Sequence, residues 1–195
     1  MDPVPVKVEP EERQADISRA VVDIASARGF DAVTIRAVAR ELGSSTTAIT
    51  HYLPTRAELL RLAVRDELLR FEQGRLLAIG DRTGFDALRR VVAYTVFDSP
   101  SRPRRFWMQV VIGAQRDPIL RSELTRFNEE WDTTIRSLLT EEGIADEAID
   151  AIADQLDTVI SGSVMLAFET ESRTLAARRR GLEALVEMIL AAAVR

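Results

Sequence analysis

The 195-residue chain contains no cysteine and one histidine. Without cysteine there is no disulfide, thiolate metal site or cysteine nucleophile, and a single histidine excludes a histidine-rich zinc site. Proline and glycine are scarce, at 7 and 9 residues, and most of them fall between apolar segments of helical period. An excess of positive charge is missing too: 26 Lys and Arg stand against 31 Asp and Glu, a formal charge of −5. That total argues mildly against a polyanionic partner. The longest apolar run, LVEMILAAAV, is interrupted by Glu187 and too short to cross a bilayer, and the opening MDPVPVKVEPEERQ lacks the apolar stretch of a secretory signal. The expectation is a cytoplasmic protein with no metal, no cofactor, no membrane partner and no catalytic centre.

What is present is helical periodicity. Residues 1–12, with Pro3, Pro5 and Pro10 among charges, read as a flexible arm. A helix follows with Ile17, Val21, Ile24 and Ala25 on one stripe, ending at Gly29. Thr34 caps a second, TIRAVARELG, with Ile35, Val38, Ala39 and Leu42 facing inward. Gly43 makes a tight turn into a third helix, from about Ser45 to Tyr52, and Pro54 stops it. Thr55 and Glu58 form a capping box for a longer fourth helix through LLRLAVRDELLRFEQ. Further helices are predicted over Phe85–Phe97 (ended by DSPSRP), Phe106–Gln115, Pro118–Glu141 behind an Asp117 cap, Glu147–Thr170 and Leu175–Val194. No β-alternation or internal repeat is visible. The expected fold is all-α: an arm over 1–12, a three-helix helix-turn-helix domain over 13–56 and a helical domain over 57–195.

In the stretch LGSSTTAITHYLPTRAELL, Ser44, Ser45, Thr46, Thr47 and Thr50 concentrate five small hydroxyls just ahead of the only histidine, His51. Catalysis explains this poorly. Neither Ser44 nor Ser45 stands at the i,i+3 or i,i+4 spacing from His51, Thr47 at i,i+4 is a weak nucleophile, and no oxyanion-hole motif or phosphate-cradling glycine loop accompanies them. A polar helix face ending in a histidine is the plain alternative, yet threonine is a mediocre helix former and its crowding runs against local propensity. Contact with DNA accounts for the pattern more economically. A helix entering the major groove needs slim side chains that both donate and accept, and phosphates need donors. The overall acidity hides a local excess: from Thr34 to Arg56, Arg36, Arg40 and Arg56 stand against Glu41, or 3 − 1 = +2, whereas Met1–Glu12 carries 1 − 4 = −3. Arg36 is therefore a candidate DNA contact, and His51, Tyr52 and Arg56 are placed to flank the groove.

With the pattern GFDAVTIRAVARELGSSTTAITHYLPTRAELL in view, residues 17–69 resemble the N-terminal domain of the TetR family of bacterial transcriptional regulators. The shared features are the Gly-Phe-x-x-x-Thr entry, the Ala-x-x-Leu-Gly turn, the His-Tyr ending and the basic residue before Glu-Leu-Leu. The chain departs from the family's pattern at Ser44, where an apolar residue is common, at Thr50, often Tyr, and at Leu53, often aromatic. The resemblance implies phosphate contacts from Thr34, His51, Tyr52 and Arg56, and base-facing positions at Ser45, Thr46, Thr47 and Thr50.

One such module makes too few contacts for useful specificity; two, about 34–36 Å apart, read a palindromic operator in double-stranded DNA. A homodimer is therefore expected. The last two helices offer a surface for it, with Leu156, Val159, Ile160 and Ser163 on one and Leu182, Leu185, Val186 and Ile189 on the other. An intramolecular helix pair is the alternative use of the same residues. The middle helices carry most of the aromatics, and the resemblance implies a site there for a small apolar or amphipathic ligand. Tyr94, Phe97, Trp107, Met108, Phe127, Trp131, Met165 and Phe168 are its candidate lining, although a plain hydrophobic core would use them equally well. The sequence thus points to a ligand-responsive regulator, in the first instance a repressor. The alternative is a helical small-molecule-binding dimer whose DNA binding is weak or vestigial.

Overall fold

Caps and prolines decide where each helix starts and stops, and the apolar stripes decide what each one buries. The computed structural model describes residues 10–168 and 172–193, the side chains of 167, 168, 172 and 173 excepted. Among these residues there are helices α1 (Pro10–Arg28), α2 (Ile35–Glu41), α3 (Thr46–Tyr52), α4 (Arg56–Ile79), α5 (Gly84–Ala93), α6 (Ser101–Gly113), α7 (Pro118–Glu141), α8 (Asp146–Phe168) and α9 (Ser172–Ala193). A 3-10 turn occupies Phe30–Ala32 and a π turn Tyr94–Asp98, and no strand occurs among the described residues. The fold is all-α, with an N-terminal helix-turn-helix.

Several boundaries differ from those the sequence suggests, three of them for a readable reason. Helix α1 begins at Pro10, within the expected arm; proline at the first helical position forfeits no bond, and Glu11 and Glu12 suit the positive end of the helix dipole. The remainder of that arm, residues 1–9, lies outside the described residues, as do Thr170 and Val194 at the expected ends of the last two helices. Helix α6 begins at Ser101 rather than Phe106, because Pro103 sits in the first turn, where no intrahelical N–H bond is made anyway. The helix expected over Phe85–Phe97 changes at Tyr94 into the π turn, closed by a 2.8 Å bond from Ser99 N–H to the Tyr94 carbonyl.

Two compact units are present: residues up to 69 with 102–125, and residues 70–101 with those from 126 onward. In the first, Ile17, Val21 and Ile24 of α1, Val38 of α2, Ile49 of α3 and Leu59, Leu60 and Val64 of α4 form one buried cluster with Phe106 and Val110 of α6 and Leu120 of α7. The helix-turn-helix therefore shares its core with segments well beyond residue 56. In the second, Leu88 and Val91 of α5 and Val96 of the π turn pack with Trp131, Ile135 and Leu139 of α7, Leu156 and Ile160 of α8 and Leu182, Val186 and Leu190 of α9. Leu156, Ile160, Leu182 and Val186, expected at a dimer interface, are thus at most 3% exposed within the chain's own core. The apolar stripes of α8 and α9 are broad, and their inner halves are used to pair the two helices with each other.

Candidate nucleic-acid interface

The turn between α2 and α3 is built by a left-handed glycine. Gly43 has φ 56°, its N–H bonds to the Arg40 carbonyl at 3.2 Å, and the Ser44 N–H reaches back to the Ala39 carbonyl at 2.8 Å. These two bonds define a Schellman closure, which ends one helix and turns the chain within two residues. Ser44, at a position where an apolar residue would pack, instead accepts a 2.7 Å hydrogen bond from Arg13 Nη2, which ties α1 to the turn.

Both helices of the motif are capped by hydroxyls. Thr34 Oγ1 accepts from Ala37 N–H at 3.0 Å, and Ser45 Oγ accepts from Ala48 N–H at 3.1 Å. Each cap oxygen is used as an acceptor, so its own O–H stays available to donate outward, as a phosphate oxygen requires. At about 100° per residue, α3 separates into two faces. Thr46, Thr47, Thr50 and His51 share one side, whereas Ala48, Ile49, Tyr52 and Leu53 share the other. Burial follows the division: Thr46, Thr47 and His51 are exposed, and Ile49 is fully buried. Thr50 is half-buried and donates its hydroxyl to the Thr47 carbonyl at 3.2 Å. Tyr52 is half-buried against the first unit's core, with the His51 ring edge-on at 5.0 Å. On α2, Arg36 and Arg40 are exposed one turn apart and add positive charge.

Arg56 is placed differently from the other candidates. Its Nε donates to the Val33 carbonyl at 2.9 Å, Nη2 to the Phe30 carbonyl at 2.9 Å and Nη1 to Asp117 Oδ2 at 2.7 Å. Burial alone would raise the Asp117 carboxyl's pKa, but the Arg56 guanidinium and the Ile119 and Leu120 N–H groups outweigh it and hold that carboxyl below its ordinary value. Three of the five guanidinium N–H groups are thereby turned into the unit.

The ligand candidates are divided between the units. Trp107 packs on the core of the first unit, and Met108 belongs to the same helix. Tyr94, Phe127 and Trp131 belong to the second, where Phe71, unnoticed in the sequence, links them: its ring lies 5.6 Å from Tyr94 and 6.2 Å from Phe127, which stacks on Trp131 at 6.5 Å. Trp131 Nε1 donates to Asp157 Oδ1 at 3.1 Å. Phe97 carries the Arg179 guanidinium over its ring at 4.8 Å and borders a groove of about 580 Å³ between α5 and α9. Met165 is exposed, and the Phe168 side chain lies outside the described residues. Of the dimer candidates that are not core, Leu185 is exposed and Val159, Ser163 and Ile189 are half-buried. Exposed Leu166 and Met188, also missed in the sequence, are further large apolar side chains on α8 and α9.

Among the described residues no helix is long and apolar enough to cross a membrane, and no cluster of His, Asp and Glu is arranged to hold a metal. Residues 17–63 match the family model of bacterial regulatory proteins, tetR family. No curated protein matches the sequence significantly. Solved structures do match over nearly the whole chain. A protein described as a transcriptional regulator from Pseudomonas aeruginosa PAO1 superposes with a TM-score of 0.81 at 18% identity, covering 95% of this chain and 93% of that one. A TetR-family regulator from a Rhodococcus species gives 0.76 at 20% identity, with 92% and 98% covered. A regulator from Saccharomonospora viridis in complex with choline also gives 0.76 at 20%, with 91% and 96% covered. At these identities the likeness to the structures is one of fold.

Proposed function

We propose that this chain, whose N-terminal domain belongs to the tetR family of bacterial regulatory proteins, is a transcriptional repressor that binds a palindromic operator as a homodimer and loses DNA affinity when a small molecule occupies its second unit. The two-faced α3 supports this most directly: a core-anchored helix presents Thr46, Thr47 and His51 outward, with the Ser45 cap hydroxyl at its start, while the Thr34 cap hydroxyl and Arg36 are exposed at the start of α2. Thr46 and Thr47 are the base-reading pair, their hydroxyls able to donate or accept and their methyls suited to a thymine methyl. Thr34, Ser45, His51 and Arg36 are the backbone donors.

Dimerisation uses the outer face of α8 and α9, where Met165, Leu166, Leu185 and Met188 are between 45% and 68% exposed. Exposed apolar side chains of that kind on two packed helices favour a partner surface of the same kind. The ligand site is placed at the aromatic group of Phe71, Tyr94, Phe127 and Trp131, which suits an apolar or amphipathic molecule. That one solved relative holds choline supports ligand occupancy in a protein of this fold. A ligand that binds the release-competent state a hundredfold more tightly shifts the equilibrium by about 2.7 kcal/mol.

Selection of bound DNA from a random pool tests the proposal. Enrichment of an inverted repeat is expected, and Thr46→Ala with Thr47→Ala should weaken binding to it on the order of tenfold, about 1.4 kcal/mol. A pool that stays unenriched would end the DNA-binding reading. It would leave the alternative, a helical ligand-binding dimer with vestigial DNA affinity, which the inward commitment of Arg56 favours.

A further inference from the structure

We infer that Arg56 is a positioning residue rather than a phosphate contact, and that the Arg56–Asp117 pair couples the start of α7 to the seating of the helix-turn-helix. The inference rests on the DNA-binding function proposed above and identifies a point of control within it. One guanidinium engages acceptors from three places in the chain. Two of them, the Phe30 and Val33 carbonyls, belong to the 3-10 turn and the residue after it, directly before the Thr34 cap of α2. The third is Asp117, whose other oxygen, Oδ1, accepts from Ile119 N–H at 2.9 Å and caps α7. One carboxylate therefore fixes the first turn of α7 to the first residue of α4, four positions after the last residue of α3.

The surrounding packing leaves this arrangement little slack. The Phe30 ring meets Phe106 of α6 edge-on at 5.4 Å. A Cβ added at Gly113 would overlap Leu120 at 2.5 Å and press on Phe30 at 3.3 Å. A small displacement of the α6–α7 turn is thus passed to the segment that sets the angle of α2, and through the Gly43 turn to α3. Only a planar fork satisfies these three acceptors at once; a lysine ammonium serves a phosphate well but cannot span all three.

The discriminating experiment titrates a pool-selected operator with the full-length chain at several salt concentrations. The proteins are wild type, Arg56→Lys, Asp117→Asn and the double variant. Asparagine keeps the oxygen that caps α7 but turns an amide donor toward Nη1. Positioning predicts that Arg56→Lys and Asp117→Asn each weaken binding severalfold, that the double variant is no worse than either, and that the slope of log K against log salt is unchanged. The opposite pattern overturns the inference: full affinity in Arg56→Lys, together with unchanged or tighter binding in Asp117→Asn from the lost negative charge. So does an Arg56→Ala variant whose salt slope falls by about one. Amide hydrogen exchange supplies a readout that needs no DNA. Both single variants should exchange faster over residues 30–43 and 46–53; unchanged exchange there also overturns the inference. If wild type selects no DNA but the exchange responds, the failure belongs to the proposed function alone.

Discussion

A hydroxyl that accepts a helix N–H still has its own proton to give. Thr34 and Ser45 are in that position, which makes them more suited to phosphate than to base edges. Thr34→Val, which keeps the shape but removes both roles, should cost about 1 kcal/mol of stability in urea unfolding through the lost cap. Asp157 presents the reverse situation. Burial first, then the Asp132 and Asp154 carboxylates, push its pKa above the ordinary value, against the Trp131 indole and Ser161 hydroxyl that favour the ionised form. The folded state therefore binds this proton more tightly than the unfolded one. The stabilisation is full below the unfolded pKa and is lost as pH rises through the folded value, and because Asp157 as a residue is exposed, with only its carboxyl partly desolvated, the effect at neutral pH is small. Asp157→Asn retains an acceptor for the indole. Its thermal midpoint at pH 7 should equal or exceed that of wild type, with the margin shrinking as pH falls toward the carboxylate range. A variant that melts well below wild type at pH 7 would contradict this.

At the level of elements, local signals were the readable ones. The Thr55–Glu58 capping box is present as reciprocal bonds, Thr55 N–H to Glu58 Oε2 at 2.9 Å and Glu58 N–H to Thr55 Oγ1 at 3.2 Å, and Asp117 with Pro118 opens α7 as its sequence suggests. The Gly43 turn was equally legible, because only glycine adopts its φ without strain. Gly43→Ala meets no neighbour within 4 Å, so its cost should be the conformational one alone, on the order of 1 kcal/mol. Chemical denaturation can compare it with Gly74→Ala. There the new Cβ would run into the Tyr94 hydroxyl, and a larger loss is expected. What sequence could not disclose were partners far along the chain. Arg56 reads as an outward cation until Asp117, 61 residues on, is found against it, and Ser44 reads as a defect in the turn until Arg13 is found, 31 residues earlier. The π turn at Tyr94 left no periodic trace, since five residues are too few to displace a helical pattern.

For the whole molecule, periodicity marked α8 and α9 as amphipathic but could not apportion their stripes. Leu156 and Leu182 face the interior while Leu185 and Met188 face out, and a broad apolar band looks the same in either role. Leu185→Glu and Met188→Glu alter side chains that are 47% and 68% exposed, so the monomer should fold as before. With the interface proposed, light scattering should report a dimer for wild type and a monomer for these variants, and affinity for a pool-selected operator should drop by orders of magnitude because two half-sites are no longer held together. A variant that stays dimeric would move the interface elsewhere.

Among the described residues the two buried clusters have no member in common, although α4 and α7 each supply residues to both units. Mutational drift around Trp131 and Leu156 calls for compensation only among their own neighbours, while Ile49 and Phe106 stay as they are. On the function proposed, a lineage built this way is free to exchange one chemical stimulus for another without relearning the address it reads.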